Sequence, residues 1–271
     1  MQRYVLILEY KGTDFSGSQK QKTKVRTVQG ELEKAISTLT KQNTKTIFSG
    51  RTDAGVHSRG QAVHFDSEID FTNPKMLYSL NGLLDKDMSV MKIEKAEKTF
   101  HAQKSATARF YRYKIVSRDQ RSAFDENCLY LREKPNIDFI NQCLEILKGE
   151  HDFSSFKKSG TENPAKICNV YVARCYQKGD DILIDIVANR FLYGMVRTIV
   201  GTILYLDRKS QSPESLREIL KSRNRAKAGP AASPDGLTLM KVIYDKNINM
   251  EMAYENILSE TSRSCKKVVR Y

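Results

Sequence analysis

The strongest constraint on this chain is an order of hydrophobic periods that runs from strand to helix and back, twice. Arg3 to Tyr10 is β-rich, and Val28, Leu32, Ala35, Ile36 and Leu39 follow at helical spacing behind Thr27, a residue type that caps helix N-termini. Thr46 to Gly50 reads as a short strand, a polar glycine-containing loop follows, and Gln61 to Asp66 alternates sides again. Asn73-Pro74 opens a second helix with Leu77, Leu80 and Leu84 on one stripe, and a strand from Met88 to Lys95 completes a βαββαβ order.

The second half repeats that order with one extra helix. A strand from Thr107 to Ser117 precedes a helix with Ile137, Ile140, Leu144 and Leu147 inward and Gly149 as its stop. Two strands flank the Gly179-Asp180 turn. An amphipathic helix from Arg190 to Leu206, another starting at Ser212-Pro213, and a strand after Pro234-Asp235-Gly236 close the set. The expected class is α+β: two βαββαβ (split βαβ, ferredoxin-like) units, each an antiparallel sheet covered by helices, meeting at a basic cleft. Residues 1–105 form the expected N-terminal domain and 106–271 the C-terminal one. Arg118 to Glu133 reads as the crossover between elements, and Asp245 to Tyr271 as a polar, basic and mobile tail outside both units.

Lys and Arg number 45 against 32 Asp and Glu, a formal charge of +13 that favours a polyanionic partner, nucleic acid first. The most apolar region, Ile182 to Leu206, is interrupted by Asp185, Arg190 and Arg197, so it reads as a buried strand and a helix rather than a membrane span. Four apolar residues near the N-terminus are too few for a secretion signal. The five cysteines contain no C-x-x-C pair and signal neither a disulfide framework nor a zinc site; reduced thiols in a cytoplasmic protein are expected. His57, His64, His101 and His151 are too dispersed for a local metal motif, and no phosphate-binding G-x-x-x-x-G-K-[ST] loop is present.

The chemistry-bearing loop is Gly50-Arg51-Thr52-Asp53-Ala54-Gly55-Val56-His57. An Asp beside Gly in a loop is more often a turn former than a nucleophile. Here the loop joins two strands, a rigid base from which to present a carboxylate. With Gly60-Gln61-Ala62-Val63-His64-Phe65, it resembles the signature of the tRNA pseudouridine synthase A family. Ser105 to Tyr113, His151 to Phe156, Asn189 to Leu192 with Met195-Val196-Arg197, and Ala228-Gly229-Pro230 with Pro234, Gly236, Leu237 and Leu239 resemble further motifs of that family. One position departs: where the family usually carries Gly-Trp-Gln, this chain has Gly17-Ser18-Gln19, and it contains no Trp.

The resemblance implies isomerisation of uridine to pseudouridine in tRNA, at positions 38 to 40 of the anticodon arm, by a cytoplasmic homodimer without cofactor or metal. It implies that Asp53 is the catalytic carboxylate and Arg197 its basic partner. Independently of it, Arg197 interrupts an apolar stripe of Met195, Val196, Ile199 and Val200, where a buried charge requires a partner. A bidentate guanidinium is expected to keep the carboxylate ionised and aimed. Tyr111 corresponds to the active-site tyrosine, stacking on uracil and a candidate acceptor for the C5 proton, while Tyr113 is assigned to packing. Arg51 corresponds to the arginine that extrudes the target nucleotide, and Phe191 and Gln61 are the remaining substrate-binding candidates. Two rivals are an idle RNA-binding relative, and a glycoside hydrolase, which requires a second carboxylate that no motif supplies.

Overall fold

The computed structural model describes residues 1–158, 160, 165–245 and 249–264. Its first half runs β1 (Gln2–Tyr10), α1 (Val28–Thr40), β2 (Ile47–Phe48), β3 (His57–Ser67), α2 (Pro74–Leu83) and β4 (Met88–Ala96). Strand β1 turns Tyr4, Leu6, Leu8 and Tyr10 inward at every second position, where they pack with Val28, Leu32 and Ile36 of α1 and Leu80 of α2. The Thr27 side chain accepts a hydrogen bond from Gly30 N, and Asn73 does the same for Lys75 N, so both helices start on side-chain caps.

The second half runs β5 (Ala108–Ser117), β6 (Leu129–Leu131), α3 (Ile137–Ile146), β7 (Gly149–Asp152), β8 (Ile167–Lys178), β9 (Asp181–Ala188), α4 (Met195–Arg208), α5 (Glu214–Ser222), β10 (Leu237–Ile243) and α6 (Met250–Ser264). Helix α4 begins at Met195 rather than Arg190, because Asn189 to Gly194 lead into it as loop and Gly194 stands at its N-terminus with a φ of +73°. Tyr113 and Ile115 of β5 share one core with α3 and α4, whereas Ala108 and Phe110 share another with Ala253, Tyr254 and Ile257 of α6. The tail expected to be polar and mobile is therefore, over residues 250–264, a helix whose apolar stripe packs on the sheet; residues 265–271 lie outside the described residues.

The fold is mixed α+β, and its strands join edge to edge. One ten-stranded sheet runs β4-β1-β3-β10-β5-β9-β8-β7, with β2 on β3 and β6 on β5. The seam is parallel and two residues long, Thr238 opposite His57 and Leu239 opposite Ser58. Gly60 sits beside it; a Cβ there would lie 2.4 Å from Met240 O, so the two chains meet only because position 60 has no side chain. Ser58 Oγ donates to Leu239 O (3.3 Å), and His57 ties both halves through its ring.

That ring and His64 are both buried with Nδ1 accepting a backbone N–H, from Gly12 (3.0 Å) and Ala102 (3.1 Å) respectively. His57 Nε2 lies 3.1 Å from Asp235 O and must carry the proton. Burial lowers the pKa of His57 and takes that of His64 down to about 4, the latter aided by the nearby Arg3 charge. Both are neutral in the fold but titrate at about 6.5 once unfolded. Between those values the unfolded chain binds more protons, so these histidines make stability fall as pH drops from about 6.5 towards 4. Urea unfolding at pH 7 and pH 5 should show the midpoint decreasing, and His64→Gln should flatten that dependence.

Candidate active site

Residues 49–56 connect β2 to β3 and form one wall of a cleft of about 1130 Å³. The opposite wall comes from β5 through Arg109 and Tyr111, and from the segment running from Asn189 into α4. Lys20, Arg51, Lys104, Arg109, Lys157 and Arg190 line it, and among the described residues Asp53 is its sole acidic one. A polyanion is thus attracted to the cleft as a whole, while negative charge is concentrated at one point inside it.

At that point Arg197 Nη1 donates to Asp53 Oδ2 at 3.0 Å. The two side chains are 21% and 11% exposed, so solvent screens the pair only in part. The contact is not the expected bidentate fork, because Arg197 Nε donates instead to Ala232 O at 2.8 Å. Ala232 N in turn donates to Arg197 O at 2.9 Å, which locks the arginine to the segment before β10. Among the described residues Arg197 is the only hydrogen-bond partner of the Asp53 carboxylate. One oxygen is restrained and the other has no hydrogen-bond partner among the described residues.

Tyr111 is buried beside the same cleft, its ring meeting Phe191 edge-on with centroids 5.0 Å apart at 82°. Burial raises its pKa, with the neighbouring Tyr10 and Asp53 adding to the shift, so the phenol stays protonated throughout the neutral range. That state suits a packing surface for a base and disfavours proton removal. Tyr113 is fully buried and donates its hydroxyl to Ser233 O at 2.8 Å. Arg51 is exposed at the cleft wall and pairs with no described residue.

Gln61 lies elsewhere: it is fully buried and does not line the cleft. Its amide nitrogen donates to Gly50 O at 2.9 Å, while its carbonyl accepts from Ser49 Oγ, so it supports the loop from beneath. Tyr10 OH pairs with Thr52 Oγ1 at 2.8 Å in the same buried layer. Arg109 gathers carbonyls from three segments, with Nη1 on Asn189 O (2.8 Å) and Ala106 O (3.2 Å) and Nη2 on Gln103 O (2.8 Å) and Ser49 O (3.1 Å). Sequence reasoning passed over this staple, whose signal was a long cation on the otherwise apolar Tyr111, Tyr113 and Ile115 face of β5.

A family model described as tRNA pseudouridine synthase matches residues 6–103 and 144–245. The chain belongs to that family. It is 38% identical over 245 residues to tRNA pseudouridine synthase A of Brevibacillus brevis, covering 90% of this chain and 100% of that protein. The protein of the same name from Nitrosococcus oceani is 37% identical over 249 residues, with 92% and 96% covered, and that from Ehrlichia chaffeensis is 38% identical over 244 residues, with 89% and 100% covered. Both segments matched to the family contribute to the cleft, one through Arg51 and Asp53 and the other through Asn189 to Val196, and Arg197 of the second bonds to Asp53 of the first.

The two bonds from one guanidinium give a direct test. Arg197→Lys keeps the charge but replaces a planar fork by a single ammonium, which cannot serve Asp53 and Ala232 in the same geometry. Single-turnover pseudouridine formation should fall at least about 100-fold in Arg197→Ala, roughly 2.7 kcal/mol of barrier, and by about tenfold in Arg197→Lys. Circular dichroism should show both variants folded.

Proposed function

We propose that this chain converts uridine to pseudouridine in the anticodon arm of tRNA, at positions 38 to 40, with Asp53 as the catalytic carboxylate. The observation that carries the reading is an arginine-held carboxylate in a cleft whose other charged residues, among those described, are all cations. Phosphates find positive charge along the walls, and the sugar of an extruded nucleotide finds the carboxylate.

In the reaction the C1′–N1 bond breaks, uracil turns, C5 joins C1′, the C5 proton leaves and N1 gains a proton. Atoms are only rearranged, so no redox partner is needed. Asp53 acts at the first bond, either as a nucleophile at C1′ or by taking a proton on the way to a glycal; both need an ionised carboxylate with a free oxygen. Arg197 holds the other oxygen. Tyr111 and Phe191 supply apolar surface for the turning base, and Arg51, unpaired at the wall, is the residue read as extruding the nucleotide. Gln61 acts through the loop it supports.

The finer architecture belongs to the same proposal: residues 1–105 and 106–271 are read as two split-βαβ units joined edge to edge. Their strand orders, β4-β1-β3 with β2 on β3, and β10-β5-β9-β8, support this, as does the largely separate core of the first half. We also assign the active form to a cytoplasmic homodimer, which follows from the family; sedimentation equilibrium should give twice the chain mass. Among the described residues no helix is long and apolar enough to cross a membrane.

Asp53→Asn keeps the size of the side chain and removes its charge. Tritium release from tRNA labelled at uridine C5 should vanish in this variant, while tRNA affinity stays within about tenfold, or 1.4 kcal/mol. Release near the parent rate would rule out Asp53 as the reacting group. Binding itself should weaken steeply with salt, since several phosphates are neutralised by cleft lysines and arginines. A flat log Kd against log salt would rule out an electrostatic cleft.

A further inference from the structure

The segment Gly17-Ser18, where the family usually carries Gly-Trp, is inserted between α1 and the Asp53 loop. Ser18 is 1% exposed, and its polar atoms are all engaged. Its backbone N–H donates to Thr52 O at 3.1 Å, and its hydroxyl oxygen accepts from Thr52 N at 2.8 Å. On the other side, Ser18 O accepts from Gln29 N (2.9 Å) and Gly17 O from Val28 N (3.3 Å), two N–H groups of the first turn of α1 that have no partner within the helix. Gly17 adopts a φ of +97°, and a Cβ there would already stand 3.2 Å from Thr52 O, so the segment lies in contact with the loop.

Thr52 is consequently held at each of its polar groups: N–H and C=O by Ser18, and Oγ1 by Tyr10 OH at 2.8 Å. The next residue is Asp53, whose carboxylate is met by Arg197 of α4. We propose that Ser18 is a positioning residue that fixes the Asp53 carboxylate by anchoring Thr52 to the N-terminus of α1. The inference rests on the reading of Asp53 as the reacting group. Ser18 itself touches neither Asp53 nor the cleft cations by any hydrogen bond; it acts through the Thr52 backbone. Without the hydroxyl, Thr52 N–H is buried with no acceptor, and the loop must shift to satisfy it. A displacement of about 1 Å at a reacting group costs on the order of 100-fold in rate.

The test uses the full chain with Ser18→Ala, Tyr10→Phe and Asp53→Asn, and tRNA tritiated at uridine C5. Ser18→Ala deletes the hydroxyl's bond from Thr52 N (2.8 Å) and its long bond to Thr52 O (3.5 Å), retains the backbone bond to Thr52 O and introduces no bulk. The single-turnover rate should fall at least tenfold with tRNA affinity within twofold of the parent. A purely structural serine would lower the melting temperature and leave the rate per folded molecule unchanged, and that result overturns the proposal. If Ser18→Ala does not fold, Tyr10→Phe removes the other tether of Thr52 without touching Ser18. It should show the same loss of rate without loss of affinity, and a parental rate there overturns the proposal as well. Asp53→Asn separates the two layers: if it still releases tritium, the reading of Asp53 fails; if it is inactive while the other two variants react at the parental rate, the positioning role alone fails.

Discussion

The arrangement depends on a parallel seam two residues long. His57 and Ser58 of β3 lie beside Thr238 and Leu239 of β10, and this pairing turns two halves into one sheet. Asp53 precedes that seam by four residues, and Arg197 is clamped to Ala232, five residues before β10. Both partners of the central ion pair are therefore measured from the same joint. A short parallel pairing is weak by itself, and here side chains reinforce it: the His57 ring bonds to Gly12 and Asp235, and Ser58 bonds to Leu239.

A carboxylate inside a protein needs its charge balanced, yet one that must react cannot have every lone pair occupied. The structure resolves that conflict by dividing the tasks. Arg197 takes one oxygen of Asp53 with one nitrogen and uses another nitrogen to fix its own position. Underneath, Gln61 and Arg109 restrain the main chain of the loop, Tyr10 holds the Thr52 side chain, and all three leave the acidic side chain alone. Neutral and cationic donors thus shape the loop without competing for the carboxylate proposed to react.

Much of this was readable before any coordinates, and the exceptions have physical causes. Asp53 stood out because its loop resembled a family signature, since an Asp beside Gly by itself reads first as a turn former, and Arg197 through the same resemblance together with the charge that broke an apolar stripe. The order of strands and helices followed from their periods. The parallel seam did not, since two paired residues leave no period, and its closest approach depends on the absence of a side chain at Gly60. Gln61 alternated correctly with Ala62, but alternation does not say that an amide will be enclosed by Ser49, Gly50 and Tyr10. Helix α6 was hidden by its polar composition, although Met250, Ala253, Tyr254 and Ile257 have helical spacing. Its anchor is more telling still: Tyr254 OH donates at 2.8 Å to Asp185, a fully buried carboxylate also gripped twice by Arg112. The sequence displayed Asp185 only as an interruption of an apolar run.

The cation-lined walls have a consequence for turnover. Uridine and pseudouridine are isomers of equal charge, and the phosphates on either side of them do not change during the proposed reaction. An electrostatic grip formed by Lys20, Arg51, Lys104 and Arg190 therefore holds product as firmly as substrate. Charge brings the RNA in but cannot report that the chemistry is finished. On the proposed reaction, departure must therefore draw on the base and the fold of the RNA, whose own structure rather than its charge becomes the agent of product release.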